Sequence, residues 1–310
     1  MDKVLILLAT YNGSKYIGEM IESIVSQDYQ DWHLIVSDDQ STDNTREILD
    51  AYVEKFADKM THYRSGCRFG NAQNHFMHLL SEFHDAPYIM FADQDDVWHP
   101  DKIRKTYQKM KETENDSAFA VMVHTDLRVV DQELNCIHPS FMRMSDISGT
   151  RVQTKQLLLQ NVVTGCTMML NRKAAEIAIQ YQTDEKIAMH DWWIALLCSV
   201  CGKIGYLNEA TIDYRQHGTN SVGAKNVRSI KHICNQLKTR QFTRNMEGTY
   251  ANAAMFLQCF APLIPRNKKK MIARYADLAN KNGFVRRLSY IRYGFWKAGF
   301  LRKIGQIIFG

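Results

Sequence analysis

The feature of this 310-residue chain that most constrains its fold is a series of short apolar runs in the first 130 residues. Residues 4–8, 33–37, 61–64, 88–91 and 119–123 read as strands, each bounded by polar or glycine-containing turns. Between them lie helical patterns. Ile17, Met20, Ile21 and Ile24 recur at helical spacing after Ser14, a residue suited to capping. Residues 41–44 would cap a second helix reaching about residue 56, and Gly70-Asn71-Ala72-Gln73-Asn74 opens a third. This βαβα order predicts an α/β fold around a mostly parallel central sheet flanked by helices. Such sheets bind ligands beyond the carboxyl ends of their strands. Thr10 and Tyr11, Asp38 and Asp39, and Asp93, Asp95 and Asp96 fall at three such ends.

The last of these sets, in Asp93-Gln94-Asp95-Asp96, packs three carboxylates into four positions after a buried strand. Like charges so close raise one another's pKa unless positive charge lies between them. A hard divalent cation, Mn²⁺ or Mg²⁺, would supply it. The plainer alternative is an acidic turn leading into the next helix, with Asp96 or Asp101 near its start. No G-x-G-x-x-G follows the first strand and no G-x-x-x-x-G-K-[ST] occurs, so ordinary dinucleotide and P-loop sites lose their support. Seven scattered cysteines without a secretory signal suggest a reducing, cytoplasmic setting. The one C-x-x-C pair, Cys198 and Cys201, lies in an apolar stretch that predicts a buried helix, where free cysteine serves as core packing.

The ordered blocks Ala9-Thr10-Tyr11-Asn12, residues 37–43, Asp93-Gln94-Asp95-Asp96, Thr164-Gly165-Cys166-Thr167, His190-Asp191-Trp192-Trp193 and residues 214–220 resemble the family-2 glycosyltransferases of GT-A fold. The resemblance covers about residues 3–222. Its wording is most similar to bacterial rhamnosyltransferases of polysaccharide assembly. It implies a dTDP- or UDP-sugar donor and a divalent cation. Thr10, Tyr11 and Asp39 would hold the base, with Asn12 and Gln94 in the same donor-binding blocks. Gly70 and Asn74 would border the donor, and Asp93 would meet the ribose or a phosphate. Asp95 would be the principal metal ligand, with His217 reaching the metal or pyrophosphate. Asp191 stands where the family keeps its general base, His190 beside it to orient base or acceptor. Trp192 and Trp193 would offer an acceptor platform, or one of them would be core. The rivals are a sugar nucleotidyltransferase, whose glycine-rich basic loop Ala9-Thr10-Tyr11-Asn12-Gly13 does not supply, and a non-catalytic glycan-binding module.

Charge divides the chain. Residues 226–310 hold 17 Lys or Arg against Glu247 and Asp277, a net +15 that leaves −9 for the other 225 residues. We therefore expect a catalytic domain over 1–225, with its nucleotide-sugar half at 1–130 and its acceptor half at 131–225. A basic, aromatic, helical region would follow over 226–310, the boundary lying near residues 221–224. Basic and apolar positions alternate through 290–309 at near-helical spacing, the pattern of a helix in a membrane interface. This predicts peripheral attachment to an anionic membrane, and the family resemblance implies a glycan or polyprenyl-linked acceptor there. A partly helical tail packing on the catalytic domain is the plainer alternative, nucleic acid is the disfavoured partner, and the apolar faces would equally suit a homo-oligomer.

Overall fold

The computed structural model describes residues 2–115, 119–180, 189–218 and 241–310. The expected boundary at residues 221–224 and the basic stretch 226–240 lie outside the described residues. Strand β1 (Val4–Thr10) pairs in parallel with β2 (Trp32–Asp38) and β4 (Tyr88–Asp93), and β2 with β3 (Met60–Tyr63). The register sets Thr10 opposite Asp38 and Ala9 opposite Asp93, so three strands end at one level with polar residues on each. Beyond β4 the sheet turns antiparallel through β8 (Met169–Asn171) and β6 (Ala120–Val130). The strand order is β3-β2-β1-β4-β8-β6-β9-β5, with β5 (Val97–Trp98) and β9 (Gly202–Arg215) at one end and β7 (Cys136–His138) paired to β6. Parallel pairing is thus confined to the first four strands, and the sheet is mixed. The run expected over 119–123 is the start of an eleven-residue strand long enough to receive two antiparallel partners.

Helix α1 (Ile17–Val25) buries Ile17, Met20, Ile21 and Ile24 as its spacing predicts, but it starts after Tyr16. Ser14 does not cap it; the Ser14 N–H instead donates to Asp43 Oδ2 at 3.1 Å, tying this loop to the one after β2. Helices α2 (Thr45–Lys55), α3 (Ala72–Glu82) and α4 (Lys102–Glu114) follow. Asp101 occupies the N-cap position of α4 without a side-chain cap bond, and Asp96 lies outside the helix with its side chain fully buried. Asp101 thus stands at the helix start as the plainer alternative had it, whereas Asp93, Asp95 and Asp96 precede the helix and do not cap it. Short helices α5 (Phe141–Met144) and α6 (Thr154–Leu157) precede α7 (Arg172–Gln180), α8 (His190–Cys201), α9 (Gln241–Phe260), α10 (Arg266–Ala276), α11 (Gly283–Tyr293) and α12 (Phe300–Phe309).

The described residues group into two compact units: 2–115, 119–141, 164–180 and 203–218 in the first, and 142–163, 189–202 and 241–310 in the second. This differs from a single cut near residue 225, because α8 and the 142–163 segment fold with the C-terminal helices. The reason is apolar. The α8 helix is buried nearly all round, and its Trp193 packs with ring centroids 5.4 Å from both Phe256 and Phe260 of α9. Burying one such aromatic contributes about 1.5–3 kcal/mol, more than the roughly 0–1 kcal/mol of a surface ion pair, so apolar packing rather than charge sets the grouping. Cys198 is fully buried there, with its thiol pushed up by burial, and both it and Cys201 are free thiols. Residues 290–309 are not one helix. Gly294 ends α11 in the left-handed region (φ 67°) and Gly299 (φ 82°) precedes α12, conformations that cost glycine nothing.

Candidate active site

In the first unit the ends of β1 and β2 meet the loop before α3 in a recess around Asp39. Asp39 is 4% exposed, and its two oxygens accept the backbone N–H groups of Phe69 and Gly70, the latter at 2.8 Å. Those bonds use two of about four lone-pair positions on a carboxylate, so an incoming N–H of a pyrimidine can still be accepted. Gly70 reaches this place at φ 75°, and α3 then starts from Asn71, whose side chain accepts the Asn74 N–H at 2.8 Å. Asn74 reaches back to the Phe69 carbonyl at 3.4 Å, so its amide stiffens the loop that borders the recess. Thr10 is buried, with its hydroxyl on Asp38 at 3.1 Å. Burial would raise the Asp38 carboxyl, but hydrogen bonds from Ser41 and Arg46 outweigh it and hold the pKa below the usual range. Tyr11 is 42% exposed, and Arg68 lies 5.3 Å over its ring, leaving an open aromatic face at the mouth.

Asn12 and Gln94 act on the loop itself. Asn12 stands at φ 49° with its Oδ1 accepting the Thr42 N–H at 2.8 Å, while its own N–H donates to Ser41. Gln94 accepts from the Tyr11 N–H at 2.8 Å and donates to the Tyr11 carbonyl at 3.1 Å, clasping the ends of β1 and β4 together. Gly13 is needed beside this clasp, since a Cβ there would stand 2.4 Å from Gln94 Oε1.

The acidic loop is held by a residue that motif reading leaves in the background. Arg215, 2% exposed, donates from Nε to the Asp95 carbonyl at 2.9 Å and from its backbone N–H to Asp96 Oδ1 at 3.2 Å. Its guanidinium also meets the Gln132 carbonyl and Glu19, and lies 4.5 Å over the Tyr16 ring. Backbone and buried cation thus fix the loop while the carboxylates differ in their surroundings. Asp95 Oδ2 lies 2.6 Å from His217 Nε2, bringing together the two residues expected to meet the metal. Asp93, Asp96 and Cys166 form a second grouping, one ligand atom from each lying within 4.8 Å of the others.

Asp96 is fully buried, and its Oδ2 has no hydrogen-bond partner among the described residues. Burial first, then the charges of Asp95 and Asp93, drive its carboxyl well above the ordinary range, and burial does the same to the Cys166 thiol. Behind them Lys102 is buried with its Nζ 4.8 Å over the Trp98 ring and 3.4 Å from Thr211. Burial pushes its pKa down to about 8. Oxygen, imidazole and an orphaned buried carboxylate oxygen are a donor set that suits a divalent cation. Neither Cys166 nor Arg215 carried a local sequence signal beyond membership of a motif block, because both act across 70 or more residues of chain.

The second unit places the remaining predicted residues. Asp191 lies in the first turn of α8, 8% exposed, its Oδ1 accepting from Asn161 Nδ2 at 3.1 Å and from the Trp192 N–H. His190 is buried, and burial pushes its pKa down to about 3, so its ring is neutral at physiological pH. Trp193 is core. Trp192 is half-buried with its indole N–H on the Leu157 carbonyl at 2.5 Å, which leaves Trp192 as the member of the three with surface to offer an acceptor.

Residues 5–177 match the family model described as Glycosyl transferase family 2, which spans more than half of the chain. The protein belongs to that family. It is accordingly a glycosyltransferase of GT-A fold. A dTDP-rhamnosyl transferase, RfbG of Shigella flexneri, is 27% identical over 226 residues, covering 70% of this chain and 74% of that one. Among solved structures, S. aureus TarS 1-349 in complex with UDP superposes with a TM-score of 0.57 at 16% identity, over 93% of this chain and 74% of its own. The Pyrobaculum calidifontis mannosyltransferase PcManGT, in complex with GDP-Man and Mn2+, gives the same TM-score at 16% identity over 99% of this chain and 79% of its own. At these identities the structural likeness speaks for the fold.

Proposed function

We propose that this glycosyltransferase is metal-dependent and inverting, and that it moves L-rhamnose from dTDP-rhamnose to a cell-surface polysaccharide precursor or lipid-linked glycan. The observation that carries this reading is the alignment of Thr10, Asp39 and Asp93 at three strand ends, with Asp95 set against His217 beside them. The dTDP-rhamnosyl transferase among its relatives supports the donor, and the Mn2+ in the mannosyltransferase supports the cation. Asp39 and the Tyr11 face would hold the base, and Asp93 the ribose or a phosphate. Asp95 and His217, or Asp93, Asp96 and Cys166, would hold the cation. Bound there, the cation supplies positive charge to the diphosphate as it leaves. Asp191 would take the proton from the acceptor hydroxyl as that oxygen bonds the anomeric carbon and the bond to the diphosphate breaks. The deciding experiment follows release of dTDP, UDP or GDP from a donor panel with Mn²⁺ or Mg²⁺. We expect release from dTDP-rhamnose that EDTA abolishes; release from another donor, or EDTA-resistant release, would overturn the sugar or the metal respectively.

Attachment to the inner face of the plasma membrane belongs to the same proposal. Among the described residues no helix is long and apolar enough to cross a bilayer. Support comes from exposed apolar side chains on two helices: Phe284, Leu288 and Ile291 of α11, and Phe300, Ile304 and Ile308 of α12. Arg287 joins these helices by donating to the Ile307 and Ile308 carbonyls. The exposed bases Arg292 and Lys303 flank the apolar side chains, and such a surface suits anionic lipid. Sedimentation with phosphatidylglycerol-containing liposomes should capture the protein at low salt and release most of it at about 0.5 M salt, where the Debye length falls to a few Å. Failure to bind at low salt would refute attachment.

A further inference from the structure

The second unit contains a cleft of about 520 Å³ between α6, α10 and the turn after α11. Three cationic side chains line it, Lys155, Lys268 and Arg274, and no carboxylate does. Lys268 and Arg274 are each held in place by something other than an acid. Lys268 Nζ donates to the Ser199 and Val200 carbonyls at 2.8 and 3.0 Å, at the C-terminal end of α8. An ammonium carries three N–H donors, so one is left for a ligand. The Arg274 guanidinium lies 5.2 Å over the Tyr293 ring, a stacking that fixes the plane of its hydrogen-bonding fork. Lys155 Nζ completes the set, standing 3.4 Å from the position a Cβ would take on Gly294 at the end of α11. Beside the cations, Tyr293 and Phe295 give the cleft an apolar wall.

Three like charges gathered in one cleft repel one another, and the arrangement is relieved by a multivalent anion bound among them. A planar guanidinium and two ammonium groups are the donor set that phosphate oxygens take. The aromatic wall suits an organic substituent on that phosphate. We infer that this cleft binds a phosphate or diphosphate group, borne either by a lipid whose chain runs onto the aromatic wall or by a soluble phosphate compound. The inference goes beyond the donor chemistry proposed above and does not rest on the sugar transferred.

The test is calorimetric titration of the full chain in EDTA, which suppresses metal-bridged binding, with inorganic pyrophosphate and with farnesyl diphosphate below its micellar concentration. Both should bind the wild-type protein. Lys155→Gln with Arg274→Gln should weaken both at least about tenfold, since charge-assisted hydrogen bonds are lost. Lys269→Gln, an exposed base on the same helix outside the cleft, should change neither. Thermal unfolding of each variant confirms that it is folded, and Arg274→Lys, which keeps the charge and loses the fork, should give an intermediate affinity. Tighter binding of farnesyl diphosphate, by tenfold or more, assigns the site to a lipid headgroup; equal affinities assign it to soluble phosphates. Absence of wild-type binding, undiminished binding by the folded double variant, or an equal loss in Lys269→Gln would overturn the inference.

Discussion

Asp95→Ala is expected to lower metal-supported turnover at least about 10³-fold, the several kcal/mol that a positioned cation contributes to a phosphate leaving group. The variant should fold. The loop around Asp95 is held by its backbone carbonyl on Arg215 and by Asp96 on the Arg215 N–H, and neither bond uses the Asp95 carboxylate. Removing that charge also relieves Asp96, whose carboxyl is forced upward by burial and by its two acidic neighbours. Relief of Asp96 opposes the loss of the Asp95–His217 contact, so thermal stability should change little while Mn²⁺-supported nucleotide affinity is lost. Titration of nucleotide with and without Mn²⁺ checks this directly. The same titration on Asp96→Asn and Cys166→Ala decides between the two groupings. If those variants lose the metal effect and Asp95→Ala keeps it, the cation belongs with Asp93, Asp96 and Cys166, and Asp95 leaves the metal site.

Much of this site was legible because its chemistry sits at strand ends, and strands announce themselves by apolar runs. The runs at 4–8, 33–37 and 88–91 extend in the structure to Thr10, Asp38 and Asp93, so the polar residues that follow them share one edge by register. Two kinds of information were not legible. Arg215 and Cys166 meet the acidic loop from 70 and more residues away, and no periodicity reports such a contact. Asn12 and Gln94 stand in the blocks expected to bind the donor, and no sequence pattern reports that their side chains also clasp the backbone around Asp39.

The second unit was hidden for a related reason. The charge step near residue 225 marks where basic residues begin, but the grouping of α8 with α9 is set by Trp193, Phe256 and Phe260, which carry no charge. The break between α11 and α12 did have a visible sign. Gly294 and Gly299 interrupt the 290–309 pattern and take left-handed conformations, so an interfacial helix drawn through both was too long.

Asp191→Asn is the second large effect, and its two readouts should separate. The amide that replaces the carboxylate keeps an oxygen that can accept from Asn161 and from the Trp192 N–H, so the start of α8 is preserved. What it loses is basicity and a negative charge at the N-terminal turn of a helix, a stabilising contribution of about 0.3–1 kcal/mol. A general base that takes a proton in the transition state contributes about 10²–10⁴-fold. We therefore expect turnover to fall at least about 10²-fold while nucleotide-sugar affinity and thermal stability stay near wild type. Asp191→Glu, which keeps the charge and displaces it by one methylene, should recover part of the rate. The neutral His190 beside it, with its pKa near 3, cannot take over as a cationic partner at any pH where the enzyme is assayed. Full activity in Asp191→Asn would exclude Asp191 as the base, and a parallel loss of donor affinity would make it a binding residue instead. Only a fall in turnover with affinity intact assigns the proton to Asp191.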